Sequence, residues 1–137
     1  MDAILSIKPQ FVDEIVAGRK RYEFRKKGFK ERVNKIYVYA SSPVCRIIGE
    51  FLLGEILEGE PDRIWSLTSE KAGITREYFD EYYDQRSVAY ALEITSFVSY
   101  KEPINPYETI ARFTPPQSFC YVRKRIAKNE PSLFNVF

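Results

Sequence analysis

The chain has 137 residues, 45% of them apolar and 15% aromatic, and this size and composition are typical of one globular domain. No apolar run approaches the roughly 20 residues of a membrane-spanning helix, and the N-terminus lacks the features of a signal peptide. The sequence contains no histidine, which excludes Ser-His-Asp and Cys-His catalysis. Cys45 and Cys120 are too few and too far apart for a disulfide framework or a thiolate metal site, so we expect reduced thiols, no metal, no cofactor and a cytoplasmic location.

The net charge is only +2, but it is unevenly distributed along the chain. Residues 1–35 contain ten Lys and Arg against five Asp and Glu, whereas residues 50–84 contain three against ten. This asymmetry predicts a basic face that binds an anionic partner and an acidic face that repels it. The alternative is that the two kinds of charge mix on the folded surface.

The N-terminal residues predict a strand followed by a helix. Residues 3–7 are apolar and suit a short buried strand. Apolar residues then recur at helical spacing over 9–17, where Pro9 fits the first turn and Gly18 fits the position just past the end.

A second strand is predicted over 20–27, directly after the helix. The aromatic residues of this strand share one face, and Arg21, Glu23 and Arg25 share the other. Lys20 lies at the junction between helix and strand, so the pattern does not fix the side to which it points.

The rest of the chain predicts further strands with two helices among them. A short helix is expected over 61–73, and another begins after an N-cap at Thr75. Gly49 and Gly54 lie inside a long strand, where glycine indicates bulges or bends. Strands are predicted over 34–41, 46–59 and 87–100, an irregular segment over 101–108, and a proline turn with a short strand over 113–122.

Together these elements predict an α+β fold that is mainly β, built as one small barrel of five or six strands with helices over its openings. The core is expected to contain Phe79 and Tyr83. The apolar face of the strand over 87–100 is expected to consist of Val88, Tyr90, Leu92, Ile94 and Val98.

The segment GRKRYEFR, residues 18–25, carries the most specific chemistry. Lys20 and Arg25 can each bind a phosphate, Arg25 in bidentate fashion. Glu23 can accept hydrogen bonds from an exocyclic amine or a ribose hydroxyl, so this combination suits a site that reads a base or a sugar beside a phosphate. The alternative is an exposed ion pair between Glu23 and one of the cations, which would contribute at most about 1 kcal/mol to a strand.

The same segment resembles the signature G-x-K-x-x-E-x-R of ASCH domains, through Gly18, Lys20, Glu23 and Arg25. Its context is similar as well, because a helix opened by SIKP precedes it and YASSP, AGITREYFDEYY and PPQSFCYV follow it. The resemblance covers residues 3–122. It implies a single ASCH domain over 1–122, of the small bacterial or phage type, followed by a basic extension over 123–137 that packs on the domain or trails from it.

Membership of this family implies a PUA-like, closed or nearly closed barrel with a cleft beside the first helix, into which Lys20, Glu23 and Arg25 point. ASCH domains are thought to bind RNA or nucleotides, and bacterial members are often described as regulators of transcription. Some small members are hydrolases, either deacetylases of acetylated cytidine or ribonucleases. This chain resembles the deacetylases at Lys20 but has Glu23 where they carry a threonine nucleophile.

Four further residues are candidates for binding a ligand in this cleft. Ser41 and Ser42 precede a proline and either bind an anion or form an ordinary Ser-Pro turn. Tyr82 either stacks on an unpaired base or belongs to the core. Ser118 follows the Pro-Pro turn and belongs to a cleft wall or to an edge strand. The cations Arg123, Lys124 and Arg125 add phosphate contacts or form a solvated run.

Three functions remain open from the sequence. The favoured prediction is a module that binds RNA or a nucleotide, single-stranded or with a modified base. The alternative is a hydrolase that acts on a modified nucleoside or on RNA in the same cleft, with Lys20 and Glu23 as its catalytic residues. The third is a protein-interaction domain that docks through the acidic residues of 50–84.

Overall fold

A computed structural model of the chain describes residues 1–122. The extension predicted over 123–137, with its basic residues, lies outside the described residues. None of the helices in the described part has the length and hydropathy needed to cross a membrane. The strands are β1 (Asp2–Ile7), β2 (Tyr22–Arg25), β3 (Lys35–Ala40), β4 (Arg46–Gly59), β5 (Ala89–Ile104) and β6 (Phe119–Val122), and the helices are α1 (Pro9–Val16), α2 (Pro61–Thr68), α3 (Arg76–Tyr82) and α4 (Pro106–Thr109).

All six strands form one curled sheet in the order β2-β5-β4-β3-β1-β6. Only β1 and β3 are parallel, and the other neighbours are antiparallel. The expected α+β, mainly β fold class is confirmed, but the closed barrel is not. In the described chain the two short edge strands, β2 and β6, do not pair with each other, so the sheet is a half-barrel that leaves a gap between its edges.

The curl of the sheet depends on irregular pairing between the long strands β4 and β5. Their register shifts near Gly49 and near Gly54, as the sequence predicts for glycines inside a strand. A Cβ at Gly49 would collide with the carbonyl oxygen of Val98, and a Cβ at Gly54 would collide with Glu93. Both positions therefore require the close approach that glycine permits.

Three predictions about β5 and its surroundings are wrong. The strand continues to Ile104 and α4 follows it, although 101–108 is expected to be irregular. Val88 and Val98 are 38% and 54% exposed, although the alternating pattern places them on one apolar face with Leu92 and Ile94, which are buried. Val88 precedes the first residue of β5, and the positive φ of Ser96 with the adjacent register shift interrupts the alternation before Val98.

The helix ends follow the predicted signals. Pro9 begins α1, and Gly18 follows this helix with a φ of 81°. At the start of α3, the hydroxyl of Thr75 accepts a hydrogen bond from the Tyr78 N–H. The helix predicted over 61–73 is α2 followed by a 3₁₀ turn (Ser69–Lys71).

Helix α3 is anchored to the sheet beside β2. Phe79 is fully buried and packs edge-on against Phe24 of β2, and Tyr83 is also buried, so their predicted place in the core is confirmed. The Tyr83 hydroxyl donates to the carbonyl oxygens of Arg25 and Tyr90, each on a different strand. These contacts fix α3 at the edge of the sheet where the gap opens.

Candidate functional site

A cleft of about 1100 Å³ occupies the gap between the edges of the sheet. Its walls come from the end of β1 and the start of α1, from β2 and the two residues after it, from the turn after β3, from α3, and from the segment before β6. The residues that line it include Ser6, Lys8, Phe11, Lys20, Glu23, Phe24, Arg25, Lys26, Lys27, Tyr39, Ser41, Ser42, Cys45, Tyr78, Tyr82, Arg86, Tyr107, Gln117, Ser118 and Phe119.

The turn after α1 directs Lys20 into this cleft. Gly18 takes a left-handed backbone conformation, and the N–H of Lys20 donates to the carbonyl oxygen of Glu14 in the last turn of the helix. The next N–H, of Arg21, donates to the carbonyl oxygen of Lys71. The chain is therefore held between α1 and the 3₁₀ turn, with the side chain of Lys20 enclosed.

Lys20 is a buried cation, with 1% of its surface exposed. Its Nζ donates to the carbonyl oxygen of Ala72 at 2.9 Å and lies 4.8 Å from the ring centroid of Phe24 and 5.5 Å from that of Phe11. Burial lowers the pKa of the Lys20 amine below 10.5, and the negative charge of Glu23 opposes this shift.

Glu23 lies between the two cations of the signature. Its Oε1 is 3.7 Å from Lys20 Nζ and its Oε2 is 3.4 Å from Arg25 Nε. Glu23 is 7% exposed, so this is a buried charge triad and not the exposed strand ion pair considered as an alternative. Removing Glu23 would leave two uncompensated cations in a region of low dielectric.

Arg25 connects β2 with the opposite edge of the sheet. Its Nη2 donates to the carbonyl oxygen of Ser6 at 2.9 Å, and its Nη1 donates to the hydroxyl of Ser118 at 3.4 Å. Its Nε is buried and makes no hydrogen bond in the described chain, although it faces Glu23. A side chain therefore spans the gap that backbone pairing leaves open.

The rim of the cleft is positively charged. Lys8, Lys26, Lys27 and Arg86 are exposed and line it, whereas Glu23 is the one carboxylate among the lining residues of the described chain. None of the acidic residues of 50–84 contributes to this lining. The charge asymmetry of the sequence is therefore present in space, with the cations gathered around the cleft.

Two tyrosines of α3 contact lysines of this rim. Lys26 Nζ lies 4.6 Å from the ring centroid of Tyr82, and Lys8 Nζ donates to the hydroxyl of Tyr78 at 3.1 Å. Burial raises the pKa of the Tyr82 hydroxyl, so it remains a neutral group at physiological pH. Aromatic faces and cations thus lie side by side on the wall formed by α3.

All seven residues predicted from the sequence to bind a ligand line this one cleft, and their role in binding stays a prediction. Lys20, Glu23 and Arg25 form its buried wall, and Ser118 accepts a hydrogen bond from Arg25. The other three are Ser41 and Ser42, which lie in the turn after β3, and Tyr82, which is half-buried.

Sequence reasoning did not identify several other lining residues, namely Lys8, Phe11, Lys26, Lys27, Tyr39, Cys45, Arg86 and Tyr107. Each of Tyr39 and Tyr107 belongs to a different element, and their hydroxyls lie 3.3 Å apart only because the fold brings these elements together. Lys26 and Lys27 could have been found, since they continue the basic segment directly after Arg25.

In residues 1–122, no group of three or more His, Cys, Asp or Glu side chains has a geometry that could hold a metal ion. Both cysteines are free thiols.

Comparison with known proteins assigns the family. A model of the ASCH domain matches residues 5–109, which include the whole GRKRYEFR segment. The chain belongs to the ASCH domain family. This result confirms the resemblance that the signature and its flanking segments indicate.

Relatives of this ASCH domain are similar over nearly its full length. The ASCH domain-containing ribonuclease of Zymomonas mobilis is 30% identical over 139 residues, which cover 96% of this chain and 91% of that protein. The crystal structure of ASCH from Zymomonas mobilis matches with a TM-score of 0.83 and 30% identity over 90% of this chain and 88% of that one. A crystal structure of a mutant of the Zymomonas mobilis protein matches with a TM-score of 0.81 and 29% identity over 90% and 91% of the two chains.

The glycine after the 3₁₀ turn controls the position of Lys20 in this ASCH domain. Gly73 has a φ of 65°, and a Cβ there would collide with Lys20 Cβ and lie 2.8 Å from Lys20 Cγ. Gly73→Ala should lower the free energy of unfolding by about 2–4 kcal/mol, because backbone strain adds to overpacking. Urea unfolding measures this change.

Gly18→Ala is the matched control for this prediction. Gly18 has a φ of 81°, but a Cβ there would meet no atom within 4 Å, so only the backbone strain of about 1 kcal/mol is expected. Equal losses of stability in Gly18→Ala and Gly73→Ala would contradict the packing of Lys20 against Gly73.

The lowered pKa of Lys20 predicts a pH dependence of stability. The folded state binds the Lys20 proton less tightly than the unfolded state, so the stability of the parent protein relative to Lys20→Met should rise as the pH approaches 10.5. The charged groups that influence the Lys20 amine are Glu23, Arg25 and Glu14. The parent protein and the Lys20→Met variant both contain these three groups. Urea unfolding of both proteins from neutral to alkaline pH tests this, and a difference that stays constant or falls would contradict it.

Proposed function

We propose that this ASCH domain binds single-stranded RNA in the cleft, with one nucleotide against Lys20, Glu23 and Arg25. The observation that carries the proposal is one buried carboxylate placed between two cations inside an otherwise cationic cleft. A surface that binds phosphate alone gains nothing from a carboxylate, which repels the ligand. The presence of Glu23 is explained if the bound group also offers hydrogen-bond donors, as a base or a ribose does.

The phosphates are assigned to the rim. Lys26 and Lys27 are exposed, follow Arg25 directly, and have no ion pair that a phosphate would have to break among the described residues. Exposed lysines release counterions when they bind phosphate, and this release supplies most of the affinity for a nucleic acid backbone. Arg86 and Lys8 extend the same rim on other elements.

Single-stranded RNA fits this cleft better than a duplex. Glu23 is nearly buried, so a base must leave its stack to reach the carboxylate. Phe11, Tyr78 and Tyr82 line the approach with aromatic rings, which bind unpaired bases by stacking at about 1–3 kcal/mol per base. Binding of RNA in this way would place the protein in RNA metabolism.

The salt dependence of binding tests this proposal. If about three cations contact phosphate, the affinity for short single-stranded RNA should fall with a log–log salt slope near roughly −2. The double variant Lys26→Ala/Lys27→Ala should lower the affinity and reduce the slope by roughly 1. Fluorescence anisotropy at several salt concentrations measures both quantities.

Lys101→Ala is the control, because Lys101 is exposed on β5 and does not line the cleft. It should leave affinity and slope unchanged. Equal affinity for duplex RNA, or an effect of Lys101→Ala as large as that of the double variant, would mean that a broad basic surface binds RNA and that the cleft does not.

We propose cleavage of RNA in the same cleft as a second candidate function. The observation that favours it is the full-length similarity to a protein named as a ribonuclease. Glu23 can take a proton from a hydroxyl that attacks phosphorus and return it to the departing oxygen as the other P–O bond breaks. Lys20 and Arg25 on either side of Glu23 can stabilise the negative charge that develops on the phosphoryl oxygens.

The variant Glu23→Gln separates cleavage from binding. Gln keeps the shape and one acceptor oxygen but cannot carry the proton, so cleavage should fall by about 10²–10⁴-fold while RNA is still bound. Glu81→Gln, an exposed change on α3 outside the cleft, should cleave like the parent. Gel analysis of labelled RNA measures cleavage, and undiminished cleavage by Glu23→Gln would exclude this role.

A further inference from the structure

The hydrogen-bonding capacity of the charge triad is unequally used. Arg25 donates through both terminal nitrogens, to Ser6 and to Ser118, and Lys20 donates to Ala72 from a fully enclosed position. The two oxygens of Glu23 meet these cations at ion-pair distances, 3.7 Å from Lys20 Nζ and 3.4 Å from Arg25 Nε, and Arg25 Nε makes no hydrogen bond in the described chain. Each carboxylate oxygen has two lone pairs, so both oxygens of Glu23 keep the capacity to accept a hydrogen bond from a ligand in the cleft.

We propose that Glu23 makes this cleft selective for guanine in single-stranded RNA, an inference that rests on the proposed RNA binding. Guanine carries two adjacent donors, N1–H and the N2 amine, on its Watson–Crick edge. These donors match the two oxygens of one carboxylate in a planar, bidentate arrangement. Unpaired bases are commonly read on this edge.

The other bases match the carboxylate less well. Adenine and cytosine each offer one exocyclic amine beside a ring nitrogen that is itself an acceptor, so one carboxylate oxygen would face a lone pair. Uracil has a single N–H between two carbonyl oxygens, and these would face the carboxylate on both sides. Facing acceptors repel each other and leave a nearly buried oxygen unpaired, which costs affinity.

The position of the carboxylate is fixed before any ligand binds. Glu23 lies within β2, where its backbone is opposite Leu92 of β5. Lys20 and Arg25 hold its two oxygens from opposite sides, and each cation is itself anchored by hydrogen bonds. A preorganised acceptor pair loses little conformational freedom on binding, so its discrimination between bases is strong.

The test compares short RNAs that carry a single guanine, adenine, cytosine or inosine in a uridine background. Fluorescence anisotropy with the parent protein should give the tightest binding for guanine, by about 5-fold to 150-fold over adenine or cytosine, the range expected of one bidentate base contact. Inosine lacks the N2 amine and keeps N1–H, so it should bind with intermediate affinity.

The variant Glu23→Gln should lose most of the preference for guanine, because an amide offers one acceptor and one donor in place of two acceptors. Glu81→Gln should keep the preference of the parent protein, and thermal melting confirms that both variants are folded. The comparison of bases with the parent protein stands even if Glu23→Gln does not fold.

The outcomes separate this inference from the proposed function. Equal affinity for the four RNAs, with guanine, adenine, cytosine and inosine, would overturn guanine selectivity and leave RNA binding in place. A preference for guanine that survives in folded Glu23→Gln would overturn the assignment to Glu23. The absence of RNA binding by the parent protein would overturn both.

Discussion

The buried ion contacts of Glu23 are the constraint on which the rest of this structure depends. Lys20 and Arg25 lose hydration when the chain folds, and the carboxylate between them attracts both and offsets one of the two positive charges. The surrounding fold is arranged to permit this. Gly73 leaves room for the stem of Lys20, the carbonyl oxygen of Ala72 accepts from its amine, and the two aromatic rings beside it provide a surface that a cation tolerates.

The triad also explains why an open sheet is compatible with a stable domain. Unpaired sheet edges attract other strands, and a covered or very short edge avoids this. Both edge strands here have four residues, and Arg25 links one edge to Ser6 and Ser118 at the other. Because the side chain of Arg25 joins the two edges, a cleft of about 1100 Å³ remains beside it. Backbone hydrogen bonds between the two edge strands would close this space. The same contact therefore holds the half-barrel together and creates the space for a ligand.

The sequence predicts those features that depend on local chemistry. Each of these features is encoded within a few residues: the alternation of polar and aromatic side chains around Glu23, the helix caps and the glycine bulges. Features that depend on distant pairing are not predictable in this way. The burial of Lys20 requires the carbonyl oxygen of Ala72, 52 positions away, and the exposure of Val98 follows from a register shift against β4. The gap between β2 and β6 is unpredictable for the same reason, since no local sequence pattern determines whether the two edge strands pair with each other.

Under the proposed function, one short segment supplies both affinity and selectivity. The segment GRKRYEFR ends with the half-buried Arg25, and the exposed Lys26 and Lys27 follow directly. Because consecutive residues are joined covalently, the lysines that contact phosphate stay at a fixed short distance from the carboxylate that reads the base. The acidic residues of 50–84 lie outside the cleft and repel the RNA backbone from other faces. Long-range charge thus directs RNA to the rim, and Glu23 acts only on the nucleotide that enters.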